Sequence, residues 1–367
     1  MTFIEERESL RQYSSENPLV LGEVLVLNEE FARDASGRQF DRRRVVVGDE
    51  SDRDPAMRQA YFEKANNFET MLRLQQGWEA PYLDHKGRLV ISFENLAAVD
   101  LYLEDGKPTQ MYEWGHQMMQ AIALEPLQNL AKGGRFLTLG HLDQRTLERF
   151  TFMPDGRGLR SRQHIYSDLL VDQAFHTPGD TLRIASLGSG ASVPNIEASL
   201  RIERETGKKV DWQLFDLDPR ALQHAKTMVE TSPIQHSQFD FGPKSTGHPG
   251  LEFAGRSFIE ARHIPNESLD GVDALGLWEY LEFNQAVTFL KMMYPKLKPG
   301  ASMIVSNMLK SRPHPEYNMR AVGWPKLIMR SEQDLLDIVE AAGISTELVR
   351  ITHSSDGVYA VMEIRKP

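Results

Sequence analysis

Arg183-Ile184-Ala185-Ser186-Leu187-Gly188-Ser189-Gly190-Ala191-Ser192 is the stretch whose reading decides the fold. An apolar, β-prone run stops at two glycines separated by one serine, and a segment with helical spacing follows. Glycine carries no Cβ, so the backbone can turn tightly there and a ligand can lie against the main chain. The turn opens onto a helix N-terminus, where free N–H groups and the helix dipole favour an anionic or polar ligand. A strand, a glycine turn and a helix in this order form the ligand-binding corner of a doubly wound α/β sheet.

Downstream the pattern alternates. Strands are predicted at 182–187, 209–215, 256–259, 272–277 and 301–306, and helices at 194–206, 219–230, 284–297 and 332–342. Residues 347–352 and 358–364 read as a final antiparallel pair around Ser355-Asp356-Gly357. Such alternation predicts a mostly parallel sheet covered by helices. Upstream the texture is mixed. Residues 19–27 are β-prone, and 33–54 read as a charged loop or a hairpin around 44–47. Asp41-Arg42-Arg43-Arg44 is expected to be solvated among its acidic neighbours. Asp54-Pro55 opens a helix with Met57, Tyr61, Ala65, Phe68 and Leu72 on one face. A short strand at 89–93 and helices at 110–130 and 143–150 follow. The second of these elements is anchored by Met111, Trp114, Met118, Ile122 and Leu130. The turn Pro154-Asp155-Gly156-Arg157-Gly158 divides the chain into a mixed α+β unit, 1–155, and an α/β unit, 156–367. A helix at 160–175, carrying Arg162, His164, Tyr166 and Asp168, leads into the second unit.

Composition excludes several function classes. The 367 residues are 41% hydrophobic, enough for a sizeable core, and the net charge of −10 argues against a broad nucleic-acid footprint. With no cysteine, disulfides, thiolate nucleophiles and cysteine-bound metals are ruled out. The start, Met-Thr-Phe-Ile-Glu-Glu-Arg-Glu, is too acidic for a signal peptide, and no apolar run approaches the roughly 18 residues of a membrane span. A soluble cytoplasmic protein without a membrane span is expected.

The second predicted strand ends Leu214-Phe215-Asp216-Leu217-Asp218-Pro219. A carboxylate at that edge, Asp216, can accept both hydroxyls of a ribose. Asp218 reads as the cap of the next helix, with Pro219 at its first position, or as a second ligand. These residues resemble the class I S-adenosylmethionine (SAM)-dependent methyltransferases, from about Asp180 onward. Ser186-Leu187-Gly188-Ser189-Gly190 is similar to the family's first motif, whose glycines pass under the methionine and ribose of SAM. Leu214-Phe215-Asp216 is similar to the second. Ile259-Glu260-Ala261-Arg262-His263-Ile264-Pro265 is similar to the family's Gly-Asp-Ala-x-x-Leu-Pro segment and implies that Glu260 and Ala261 lie near adenine. Ser268-Leu269-Asp270 with 272–281 resembles the fourth strand and the loop facing the methyl group, and Leu297-Lys298-Pro299-Gly300-Ala301 the turn before strand five. The resemblance implies a Rossmann-like sheet, mostly parallel with an antiparallel C-terminal hairpin, behind an N-terminal lid or substrate domain. It also implies SAM as cofactor and a small-molecule acceptor. Gly276–Leu281, Val305-Ser306-Asn307 and Trp324–Glu332 further resemble a bacterial group that makes 3-hydroxy fatty acid methyl esters.

Ser186 departs from the family pattern, in which an acid often helps to position the SAM amino group, and Ser192 replaces a third glycine. Arg162 and Tyr166 are the expected substitutes at the methionine end. Ser189, Leu217 and Trp278 complete the expected cofactor contacts. An alcohol or ammonium acceptor needs a base; His116, His164, His263, His314 and Glu279 are candidates. Glu279 and Tyr280, with His164, are the expected catalytic group, and Asn307, Arg320, Trp324 and His116 the expected substrate contacts. Arg330 is an alternative anchor for a substrate carboxylate. No metal site is expected, and a homodimer is left open. Two other readings stand beside methyl transfer: SAM chemistry that releases methylthioadenosine, by aminocarboxypropyl transfer or cyclisation, and a non-catalytic SAM-fold scaffold. A nicotinamide enzyme is disfavoured by Val193 and the C-terminal hairpin.

Overall fold

The structure is a computed structural model that describes residues 19–74, 78–123, 142–245, 252–324 and 327–367. Leu130, Pro325, Lys326 and the Met118–Met119 side chains lie outside the described residues. Nine strands form the main sheet: β1 (Val24–Arg33), β2 (Gln39–Val47), β3 (Thr181–Leu187), β4 (Lys209–Phe215), β5 (Gln238–Asp240), β6 (Leu269–Ala274), β7 (Leu297–Met308), β8 (Val349–Ser354) and β9 (Tyr359–Arg365). Their spatial order is β1-β2-β8-β9-β7-β6-β3-β4-β5. The strands from β7 through β6, β3 and β4 to β5 run parallel, whereas β9 is antiparallel to both β7 and β8. The chain winds outward from β3 through β4 to β5, then crosses back to β6 on the other side of β3. Ligands bind where the winding reverses, at the strands' C-terminal ends.

Helices are α1 (Pro55–Leu74), α2 (Leu96–Tyr102), α3 (Gln110–Ala123), α4 (Gln144–Phe152), α5 (Pro154–His176), α6 (Val193–Thr206), α7 (Pro219–Thr231), α8 (Phe283–Met293) and α9 (Glu332–Ala341). One face of the sheet is covered by α5, α6 and α7, where Ile165, Leu169, Ile202 and Leu222 pack on Ile184, Leu214 and Val361. The other is covered by α8 and α9, where Phe289, Leu290, Leu336 and Val339 pack on Val272, Met303 and Ile351. A third cluster joins α1–α4 to a π-helical turn, Tyr317–Val322, through Leu72, Tyr102, Trp114, Phe150, Tyr317 and Trp324. The start of α5 can lie on the C-terminal hairpin because position 158 is glycine: a Cβ there would stand 2.6 Å from the Val358 Cβ.

The structure corrects several expectations. The segment 154–158, read as a dividing turn, is the start of α5, and Arg43, expected to be solvated, is buried in β2. Of the two readings of 33–54 the hairpin holds, but its turn lies at 34–38, and Gln39–Val47, where the turn was expected, is a strand. With β1 it forms a hairpin that joins the main sheet. The physical reason is long-range pairing. Strand β2 lies parallel to β8, Arg42 beside Ile351, and Arg42 forks onto Glu332 of α9 at 2.8 and 2.6 Å. The third strand is Gln238–Asp240; the segment read as 256–259 passes instead into a 3-10 turn, Phe258–His263, fixed by a capping box between Ser257 and Glu260.

Glu332 ties the hairpin, α9 and β8 together, since His353 Nε2 also lies 2.8 Å from its Oε1. Burial works to raise its pKa, but the bonds from His353 and Arg42 outweigh burial and hold the carboxyl at about 2, from an ordinary 4.5. A carboxyl depressed in the folded state stabilises fully above its unfolded value and loses that contribution as pH falls through the folded value. Glu332→Gln is therefore expected to lower the urea midpoint at pH 6, with the difference from wild type shrinking between pH 4.5 and about 2. A difference that stays constant over that range would refute the assignment.

Candidate functional site

The residues 188–192 leave β3 at the winding reversal. The N–H groups of Gly188 and Ser189 both donate to the Phe215 carbonyl, at 2.7 and 3.1 Å, which ties the turn to the end of β4. Gly188 has φ +69° and Gly190 φ +52°. A Cβ at 188 would stand 3.0 Å from Leu277 Cβ, whereas one at 190 would meet nothing within 4 Å, so Gly190 forms an open lip. Ser192 also lies in the left-handed region, φ +56°, a strained state for a side-chain-bearing residue.

Asp216 closes this corner. Its Oδ2 accepts the Gly190 N–H at 2.8 Å and its Oδ1 the Asp218 N–H at 2.9 Å. Burial pushes the carboxyl up to about 6, against the pull of those two N–H groups. Asp218 caps α7, accepting from the Arg220 N–H at 3.0 Å, with Pro219 in the first turn. Leu217 between them is 51% exposed. Beside them the Arg256 guanidinium lies 3.9 Å from the Phe215 ring centre, and its backbone N–H donates to the Asp216 carbonyl. Glu260 is exposed and spends one oxygen on the Ser257 N–H, while Ala261 is buried in the core.

On the other side of β3, the end of β6 passes into a 3-10 turn, Trp278–Tyr280. Trp278 is fully buried and packs edge-on against Phe289. Glu279 is 1% exposed, and among the described residues its Oε2 has no hydrogen-bond partner. Burial pushes its carboxyl up to about 7, although Arg162 stands beside it with Nη1 3.3 Å from Oε1. Arg162 comes from α5. The same Nη1 donates to the Leu275 carbonyl at 3.1 Å, and the guanidinium lies 4.7 Å from the Tyr359 ring centre. The Tyr280 hydroxyl accepts from Trp324 Nε1 at 2.6 Å.

Other singled-out residues are committed elsewhere. Asn307 and Arg330 clamp the loop after β6: Arg330 Nη1 reaches the Asn307 Oδ1 and the Trp278 carbonyl, its Nη2 reaches the Leu281 carbonyl, and Asn307 Nδ2 donates to the Ile328 carbonyl. Arg320 donates to the carbonyls of Leu72 and Trp78 and ties the π-helical turn to the end of α1. His116 Nε2 lies 2.6 Å from the Gly87 carbonyl. His164 pairs with Glu197 of α6 at 2.6 Å and packs against Gly22, so it is not brought to Glu279. His263 contacts Arg262 on an outer turn, and His314 sits against Phe62 of α1. Tyr166 and Ser186, expected at the methionine end, are buried below the turn with their hydroxyls given to Asp273, each at 2.8 Å. Sequence reasoning passed over Asp273. Its one signal was an acid inside the otherwise apolar run Val272-Asp273-Ala274-Leu275. Among the described residues no cluster of His, Asp and Glu could hold a metal ion, and no helix is long and apolar enough to cross a membrane.

No family model and no curated protein matches the chain. Solved structures do. A possible exported protein from Bordetella parapertussis aligns at 14% identity and TM-score 0.49, over 84% of this chain and 97% of its own. The magnesium protoporphyrin IX methyltransferase of Synechocystis PCC 6803, with bound S-adenosylhomocysteine (SAH), aligns at 13% and 0.40, over 58% and 87%. Human N-acetylserotonin methyltransferase in complex with SAM aligns at 15% and 0.38, over 82% and 83%. Likeness at this level carries no site residue or substrate across.

Proposed function

We propose that this chain is a methyltransferase that binds SAM over the Gly188–Gly190 turn and methylates a small-molecule acceptor. The observation that carries the reading is the coupling of the glycine turn to Asp216. The Gly190 N–H fixes the carboxylate, yet each carboxylate oxygen keeps a lone pair for a ribose hydroxyl, and the lip at Gly190 leaves space for the sugar. Bound SAM supplies an electrophilic methyl group on a sulfonium.

The chain's own residues bind and orient. In this reading Asp216 takes the ribose hydroxyls, the backbone at 188–190 lies along ribose and methionine, and Leu217 and Glu260 border the adenine, with Ala261 in the core behind them. Among the described residues Arg162 spends only Nη1 in hydrogen bonds, and in this reading its remaining N–H groups go to the methionine carboxylate. Glu279 and Tyr280 stand beyond the β6 end, where an acceptor must lie for in-line attack. A carboxyl titrating near 7 is suited to hold or take a proton at Oε2 around neutral pH.

Calorimetric titration with SAM tests the reading, followed by product analysis with a panel of acceptors that includes 3-hydroxy fatty acids. Saturable binding and SAH as product are expected. No binding would favour a scaffold role, and methylthioadenosine as product would replace methyl transfer by the alternative chemistry.

A further inference from the structure

Beneath the glycine turn lies a polar cluster assembled from four elements: Ser186 of β3, Asp273 of β6, Tyr166 of α5 and Asn195 of α6. Asp273 and Ser186 are register partners in the parallel pair. Ser186 Oγ donates to Asp273 Oδ1 at 2.8 Å; Tyr166 Oη donates to Oδ2 at 2.8 Å, and Asn195 Nδ2 to the same oxygen at 3.2 Å. Asn195 also reaches the Tyr166 hydroxyl at 3.3 Å. Asp273 is 3% exposed, and its three companions are buried as deeply.

All three donors are neutral. Burial and the nearby Asp273 raise the Tyr166 hydroxyl well above its ordinary value, so it stays a protonated donor. Among the described residues no guanidinium, ammonium or imidazole is bonded to Asp273. Arg162, one turn before Tyr166 on α5, spends its Nη1 on Leu275, Glu279 and Ser306 instead. A buried carboxylate held only by neutral donors is costly, because its charge has lost water and gained no counter-charge. Burial accordingly lifts the Asp273 carboxyl to about 7, despite the bonds from Tyr166, Ser186 and Asn195. The cluster grips both flanks of the turn, Ser186 just before Gly188 and Asn195 in the first turn of α6. A cation bound over the turn would supply the charge that the three neutral donors do not.

We infer that Asp273 is the buried counter-charge for the sulfonium of the bound cofactor, so that the site holds SAM in preference to SAH. The inference rests on the SAM reading above. SAM and SAH share the adenosine, the ammonium and the carboxylate; they differ by the methyl group and the single positive charge at sulfur. As a matter of scale, a pair of unit charges about 10 Å apart across a medium of effective dielectric 20 is worth roughly tenfold in affinity, and a neutral sulfur gains none of it. Loss of the methyl group removes that charge, the Asp273 carboxylate then takes up a proton from solvent more readily, and the product is held less tightly.

The test is the ratio of SAM to SAH affinity, measured by calorimetry on the full chain. Asp273→Asn keeps the shape of the cluster, because the Ser186 hydroxyl can rotate to accept from the new amide. It is expected to lower the ratio roughly tenfold, mainly by weakening SAM. Ser186→Ala, which removes one donor and keeps the carboxylate, is expected to lower the ratio less and in the same direction; it carries the test if the first variant does not fold. A positioning role without charge discrimination would weaken both ligands by the same factor, and that result, or an unchanged ratio in both variants, overturns the inference. If the wild-type chain binds neither ligand, the cofactor reading itself is wrong; if it binds both and the ratio does not move, only the role of Asp273 is.

Discussion

Replacing Asp216 with alanine is expected to weaken SAM binding by roughly tenfold to a hundredfold, the loss of a charged hydrogen-bond acceptor contributing about 1.5–3 kcal/mol. The variant removes two things at once. The ribose loses its acceptor, and the Gly190 N–H loses the carboxylate that fixes the lip of the turn. Asp216→Asn keeps a carbonyl oxygen for Gly190 and is expected to fall between wild type and alanine. A pH signature accompanies the effect. The free carboxyl titrates near 6, raised by burial, and accepting at both oxygens, from two hydroxyls as well as two N–H groups, takes the ionised form. Wild-type affinity should therefore decline as pH falls through about 6, and Asp216→Ala should lose that decline. Titrations between pH 5 and 8 measure both effects, and an affinity unchanged by the alanine substitution removes Asp216 from the ribose site.

The second large effect is on stability. Asp155, in the first turn of α5, is fully buried with Arg312; its Oδ1 accepts from Arg312 Nη1 at 2.7 Å and from Asn318 Nδ2 at 2.6 Å. Asp155→Ala strands the Arg312 guanidinium without a counter-charge and is expected to cost about 3–5 kcal/mol, read as a fall in the urea midpoint. The double variant Asp155→Leu with Arg312→Met removes both charges and should recover most of the loss, because buried pairs are replaceable by apolar groups of similar volume. A single variant as stable as wild type would show that the pair holds nothing. Activity would suffer along with stability, since Arg312 and Asn318 belong to the segment that carries Trp324 onto Tyr280.

The α/β alternation was legible in the sequence because it is written locally. Glycines mark the turn after β3, the Asp218-Pro219 pair marks the start of α7, and Lys298-Pro299-Gly300 stands where β7 begins. Pairing over long range left no such mark. Nothing in Gln39–Val47 announces that its partner is β8, and the Arg42–Glu332 bond that seals the pair is invisible until the chain is folded. The third strand was missed for a related reason: Gln238–Asp240 is short, and the more apolar 258–259 segment serves a capped turn instead. Within the site, Asp216 could be read because an acid at a strand end stands out. Asn307, Arg320 and Arg330 have the same polar chemistry as substrate contacts, and only their carbonyl partners show them to be clamps and ties. Histidine type alone could not separate His164, paired with Glu197, from a base.

The parallel pairing of β2 with β8 has a consequence for the order in which the molecule can assemble. On a ribosome the β1–β2 hairpin emerges while its partner strand has yet to be synthesised, and β8 itself is held by β9, which comes later still. Nascent chains thus expose one edge of the hairpin until the distant segment that covers it has been made. Contacts of such large sequence separation close slowly, because most of the loop entropy is lost before they form. Sealing of this edge is accordingly a late event in folding, and a circular permutant that places β1–β2 after β9 should refold faster than the natural order.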